Sequence, residues 1–235
     1  MSFSVRYNSD LVKVNLTSAI TGSCQANSGG VPRLGLPGLC FNDGRESAQA
    51  VLLLRVMSDP SPASGPRHTD FVTQFPSAFT AAASFDRDLI EERARAIGIE
   101  FRGKGINVEL GPVTGGPLGR SPFAGRNWEG QLHYSSHVQR VSAKLTVLAI
   151  SPDPYLSSTM SFLTVRGMQE SGLISCAKHY FLYEQEPVCD GPLDDSGGRT
   201  HCVDVSSEVD DKTVKELYLP SFAETVRAGT GAIMW

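Results

Sequence analysis

No uninterrupted stretch of about 18 apolar residues occurs in the 235-residue chain, so it holds no segment of the length that crosses a bilayer as a helix. Its first residues, Met1-Ser-Phe-Ser-Val-Arg-Tyr-Asn8, lack the apolar centre of a secretory leader. Cationic side chains are scarce as well: 21 Lys and Arg against 25 Asp and Glu leave a net charge of −4 and a pI near 5.7. Nucleic acids and anionic membranes are held by clustered cations, so neither is an expected partner, and a neutral small molecule fits better. The five cysteines and five histidines never fall into a zinc-ligand spacing; Cys24, Cys40 and His201-Cys202 are too scattered, and no metal or other cofactor is expected. Cys24 and Cys40 bracket one polar loop, and Cys189 and Cys202 another. Either pair can close a disulfide in an exported protein, which leaves Cys176 over, buried on a strand. The 40% hydrophobic and 20% charged balance is that of an ordinary folded core.

One segment is rich where the rest is ordinary. From Gly111 to Gly125 five glycines and three prolines precede Arg126-Asn-Trp-Glu-Gly130. That density excludes a helix or a central strand and leaves an ordered loop, which either is a long structural connection or presents polar groups beside an indole ring, as a sugar site requires.

Around this loop the hydrophobic spacing predicts alternating helices and strands. Ile90, Ala94, Ile97 and Phe101 form a helical stripe between Asp86 and Lys104. Leu156, Met160, Leu163 and Gly167 repeat it, and Val214, Leu217, Tyr218, Phe222 and Val226 give a third, bent at Pro220 and ended by Gly229. Each precedes a short apolar run: Ile106–Leu110, Leu173–Ala177 and Gly231–Trp235. Helix-then-strand alternation indicates a parallel sheet with crossovers. An open doubly wound sheet and a closed barrel both satisfy it.

Wording along the chain carries more than periodicity does. Gly-Pro-Leu-Gly-Arg-Ser-Pro122 followed by Gly-Arg-Asn-Trp-Glu-Gly130 resembles the fungal β-glucosidases of glycoside hydrolase family 3. Similar matches occur in the same order at Lys13-Val-Asn-Leu-Thr17, Val31 to Gly44, Thr69 to Pro76, Phe85 to Asp88, Ser151 to Leu156, Cys176-Ala-Lys-His-Tyr180, Glu184-Gln-Glu186 and Asp210 to Leu219. The resemblance implies an α/β fold, a partial (β/α)8 TIM-type barrel with long irregular loops. A complete barrel takes about 250 residues and only three helix-strand units are legible, so residues 1–235 read as roughly its first half, an incomplete amino-terminal barrel domain. Such an arc has two open edges and is expected to aggregate. Residues 45–66 and 131–150 interrupt the family pattern abruptly and read as inserts, translated intron or mis-joined exon sequence.

By the same resemblance, Asp43, Arg67, Arg126, Lys178 and His179 are expected to line a glucosyl subsite. Asp43 would accept from a pair of sugar hydroxyls, while Arg67, Arg126 and Lys178 would donate to others. Lys178 and His179 directly follow a buried strand, at the end where barrels carry their sites. Tyr183 stands where the family commonly has Asn. The implied substrate is a small-molecule β-glucoside or cello-oligosaccharide, with a β-xyloside as the alternative. Secretion is also implied, and Asn15 opens a glycosylation sequon. A retaining glycosidase needs two carboxyl groups about 5–5.5 Å apart, and none of the 25 acidic residues falls in a motif for either. Both are expected beyond Trp235, so this chain is expected to be inactive alone: a fragment of the enzyme or, as the alternative, a non-catalytic truncated product or sugar-binding remnant.

Overall fold

The computed structural model describes residues 24, 26–43, 66, 71–73, 75–114, 150–183, 188–193, 199–203 and 206–235. Arg67, Arg126, Asn15 and nearly all of both inserts lie outside the described residues; Pro66 and Ile150, at the ends of the inserts, are buried.

Three helical crossovers join four parallel strands. The strands are β2 (Cys40–Asn42), β3 (Val108–Glu109), β4 (Ile174–Ala177) and β7 (Ala232–Ile233), with β1 (Ala26–Asn27) antiparallel on the outer side of β2. Between them run α1 (Ala78–Ala82) and α2 (Arg87–Gly103), then α3 (Pro154–Glu170), then a composite helix of α4 (Asp211–Thr213), a π turn (Val214–Tyr218) and α5 (Leu219–Arg227). A separate ribbon of β5 (Val188–Leu193) and β6 (Arg199–Val203) sets Cys189 opposite Cys202 in register.

The strand order decides between the two architectures left open by periodicity. A doubly wound sheet reverses direction at a switch point, whereas here β2, β3, β4 and β7 follow one another in chain order. The helices follow suit, α2 packing on α3 and α3 on α5 as one continuous layer. That is the winding of a barrel arc, and the chain forms part of a (β/α)8 barrel.

Local chemistry explains where each crossover starts. Asp86, Asp153 and Asp210 sit at the N-caps of α2, α3 and α4, their carboxylates accepting from Leu89 N at 3.0 Å, Leu156 N at 2.7 Å and Thr213 N at 3.0 Å. Pro154 at the first turn of α3 loses nothing there, since that amide has no helical partner. One core gathers Ala94, Ile97 and Phe101 of α2 with Cys40, Ile106, Met168 and Leu173; a second joins Ile90 and α1 to Met160 and Leu163 of α3. The seam between α2 and α3 closes at Gly167, where a Cβ would come within 2.6 Å of Glu91 O and 3.0 Å of the Ala94 side chain. Beside it Arg166 pairs with Glu91 through two bonds, one of 2.9 Å, and Arg95 pairs with Glu170 at 2.6 Å.

Two of the helices stand where the spacing puts them. The third differs. Pro220 has no amide to donate, and the chain meets this with a π turn before it, in which Leu219 N reaches back five residues to Val214 O. Beyond the turn Thr225 takes the inward place, and Val226, expected in the stripe, is 59% exposed. Two strands are also shorter than the apolar runs suggest, β3 being confined to Val108–Glu109 within Ile106–Leu110 and β7 to Ala232–Ile233 within Gly231–Trp235; Trp235 is 91% exposed.

Candidate functional site

β2 ends at Asn42, and Asp43 leaves the sheet at its carboxyl end; β4 ends at Ala177, and Lys178 does the same two strands away. Their side chains meet across β3, with Lys178 Nζ 2.6 Å from Asp43 Oδ1, and both are buried, at 1% and 6% exposure. A bond of this length between ionised groups is charge-assisted and strong. Burying it costs each partner its water, so it persists only where the geometry is fixed by other contacts.

Backbone bonds supply that fixing. Past the end of β3 the chain continues as a ladder beside Lys178: Lys178 N donates to Pro112 O at 3.0 Å and Thr114 N to Lys178 O at 2.9 Å. Thr114 is tied from behind by a hydroxyl bond to Ser161 of α3, and Ser175 Oγ donates to Gly111 O at 2.8 Å. On the other side Met234 N donates to Ala177 O at 2.8 Å and Tyr180 N to Met234 O at 2.7 Å, so the turn after β4 is held by β7. The Lys178–His179 peptide is cis. His179 is buried and meets the Tyr183 ring edge-on at 6.0 Å; the Tyr183 that departs from the family wording thus closes one side of the histidine. Tyr180 stacks edge-on with Phe222 at 5.0 Å. At the other end of the site, a disulfide joins Cys24 to Cys40, two residues before Asn42. Of the expected cysteine states, this pair is closed and Cys176 is free and buried.

No motif in the sequence marks Glu109. Register puts it between Asn42 and Ser175 on adjacent strands, and in-register neighbours share a face of the sheet. Cys40, two before Asn42, packs on α2, so this row looks toward the helices while Asp43, one residue on, looks the other way. Glu109 is 9% exposed, and no donor reaches its Oε2. Burial pushes its carboxyl up to about 7, against the pull of Arg93 and Lys178, with the negative charge of Asp43 adding to the rise. Burial likewise lowers Arg93, on α2, to about 10, with Glu109 resisting. The available signal was a lone ionisable residue inside an apolar strand.

The structure therefore brings Asp43, Lys178 and His179 together at the carboxyl end of the sheet. Arg67 and Arg126 fall outside the described residues. Among the described residues no cluster of side chains suited to a metal ion is found, and no helix is long and apolar enough to cross a membrane.

Three comparisons bear on this geometry. No protein-family model matches the chain. "Beta-glucosidase A" of Aspergillus kawachii is 40% identical over 226 residues, which is 94% of this chain and 22% of that protein. A glycoside hydrolase family 3 β-glucosidase from Neurospora crassa superposes with a TM-score of 0.62 at 33% identity, over 89% of this chain and 20% of its own. β-Glucosidase 3B of Thermotoga neapolitana, solved in complex with α-D-glucose, gives a TM-score of 0.59 at 26% identity, over 90% of this chain and 23% of its own. The chain thus spans about a fifth of the length of the relatives it matches.

Proposed function

The chain is a homologue of part of the fungal β-glucosidases of glycoside hydrolase family 3, and from that premise we propose that it supplies the glucose-gripping part of a retaining β-glucosidase barrel. The single observation that carries this reading is the buried 2.6 Å pair of Asp43 and Lys178 at the carboxyl ends of β2 and β4. An ion pair with most of its water removed offers a sugar an acceptor and a donor side by side, and vicinal hydroxyls need both. Asp43 accepts from a hydroxyl pair, and Lys178 donates to a neighbouring oxygen. His179 closes the wall beside them, and Arg67 and Arg126 are the further donors that the family wording suggests.

The substrate of the whole enzyme is a β-glucoside or cello-oligosaccharide, cut at its non-reducing end. Residues 1–235 belong to its amino-terminal barrel domain, with 45–66 and 131–150 as inserts. The closed Cys24–Cys40 disulfide supports an exported protein, on which Asn15 is a site for glycan. Hydrolysis itself needs a carboxylate to attack the anomeric carbon and a carboxylic acid to protonate the leaving oxygen. Among the described residues neither buried acid near the site suits those roles: Asp43 is engaged by Lys178, and Glu109 looks toward the helices. The 235-residue chain is therefore expected to bind D-glucose, measured by calorimetry, while releasing no phenol from an aryl β-glucoside. Turnover by the pure chain would refute the assignment of roles, and failure to bind glucose would refute the sugar site.

A further inference from the structure

We infer that Glu109 is a positioning residue whose proton keeps the Lys178 ladder closed, so that its ionisation loosens the Asp43–Lys178 pair and weakens glucose binding. The glucose part of this inference rests on the reading of the pair as a sugar site; the ladder part does not.

The geometry isolates the carboxyl. Glu109 sits on β3, between the strands that carry Asp43 and Lys178. Its Oε2 is buried without a donor. Its Oε1 lies under Gly111, where a Cβ would come within 3.2 Å of it, so the absence of a side chain there makes room for the carboxyl. Gly111 begins the segment Gly111–Thr114 that holds the Lys178 backbone from both sides.

The charges acting on Glu109 come from three elements: Arg93 on α2, Lys178 after β4 and Asp43 after β2. Arg93 is itself committed, with Nε donating to Pro76 O at 2.7 Å, and Lys178 is committed to Asp43. Neither attraction offsets burial, which leaves the group titrating about 7. As a neutral acid it is tolerated. Once ionised, its buried Oε2 needs a donor that the surrounding groups do not supply, and water must reach it beneath Gly111. The bonds that yield are those of the ladder above it.

The sign follows from where the proton is held more tightly. The folded carboxyl titrates above the ordinary range, so its contribution to stability is fully present below the unfolded value, declines as pH rises and is gone above about 7. If only the protonated form binds, apparent affinity scales with the competent fraction. D-Glucose should then bind about ten-fold more weakly at pH 8 than at pH 6.

The test measures D-glucose affinity by calorimetry at pH 6, 7 and 8 for the wild-type chain and Glu109→Gln, with hydrogen exchange at the Lys178 and Thr114 amides. The wild type should lose affinity and amide protection together above neutrality, after correction for intrinsic exchange. Glu109→Gln should bind at the acid limit throughout, with both amides protected. A variant that follows the wild-type pH profile would overturn the inference, as would wild-type amides equally protected at pH 6 and 8. Should glucose bind at no pH while the amides still open above neutrality, the sugar site is wrong and the ladder switch stands. Should Glu109→Gln fail to fold, the wild-type exchange profile decides alone.

Discussion

Asp43 and Lys178 are each tolerable in the interior only because of the other. Removing one leaves an uncompensated buried charge, which costs about 3–5 kcal/mol, whereas replacing both by neutral residues of similar shape is close to neutral. Asp43→Asn and Lys178→Met are therefore each expected to lower the urea midpoint strongly, and the double variant to recover most of the loss. Additive losses in that double-mutant cycle would mean that the pair is not coupled. This partnership was only half legible from sequence. The family wording singled out Asp43 and Lys178 separately, but 135 residues separate them, and nothing in either motif states that one neutralises the other. Glu109 was less legible still, because its meaning comes from the Gly111 turn and from Arg93 on a different element.

At the scale of elements, the helix stripes of α2 and α3 were readable because a 3.6-residue period is a property of the helix itself. Their starts are set in the structure by Asp86 and Asp153, which cap α2 and α3 as Asp210 caps α4. What could not be read was the composite last helix, where Pro220 forces a π turn and moves the inward face onto Thr225. Strand lengths were also overestimated, because apolar runs record burial while a strand ends where its ladder partner ends. Gly167 appeared in the sequence stripe only as a small residue. In the structure it is the point where α3 lies against the backbone of α2. Gly167→Ala is expected to gain helix propensity and still lose stability, because the added methyl must displace Glu91 O and the Ala94 side chain at the cost of overpacking, about 1–3 kcal/mol. Thermal unfolding of the variant checks this; an unchanged or raised Tm would show that the seam has slack.

At the scale of the molecule, periodicity left an open sheet and a barrel equally possible, and resemblance preferred the barrel. The order of the strands gives that preference a physical basis: successive addition on one side, under a single layer of helices, curves toward closure. The same winding carries the carboxyl ends of β2 and β4 to one mouth and makes a shared site there possible. Glucose capture at this mouth through Asp43 and Lys178 is what the proposed function requires. Its most direct measurement is an NMR titration of the wild-type chain with D-glucose, following the Lys178 side-chain amine and the Asp43 carboxyl carbon. Both signals should move together and saturate at one affinity, and the Lys178 amine should not respond in Asp43→Asn. Glucose that binds the wild type without moving either signal, or that moves the Lys178 amine equally in the variant, would overturn this assignment.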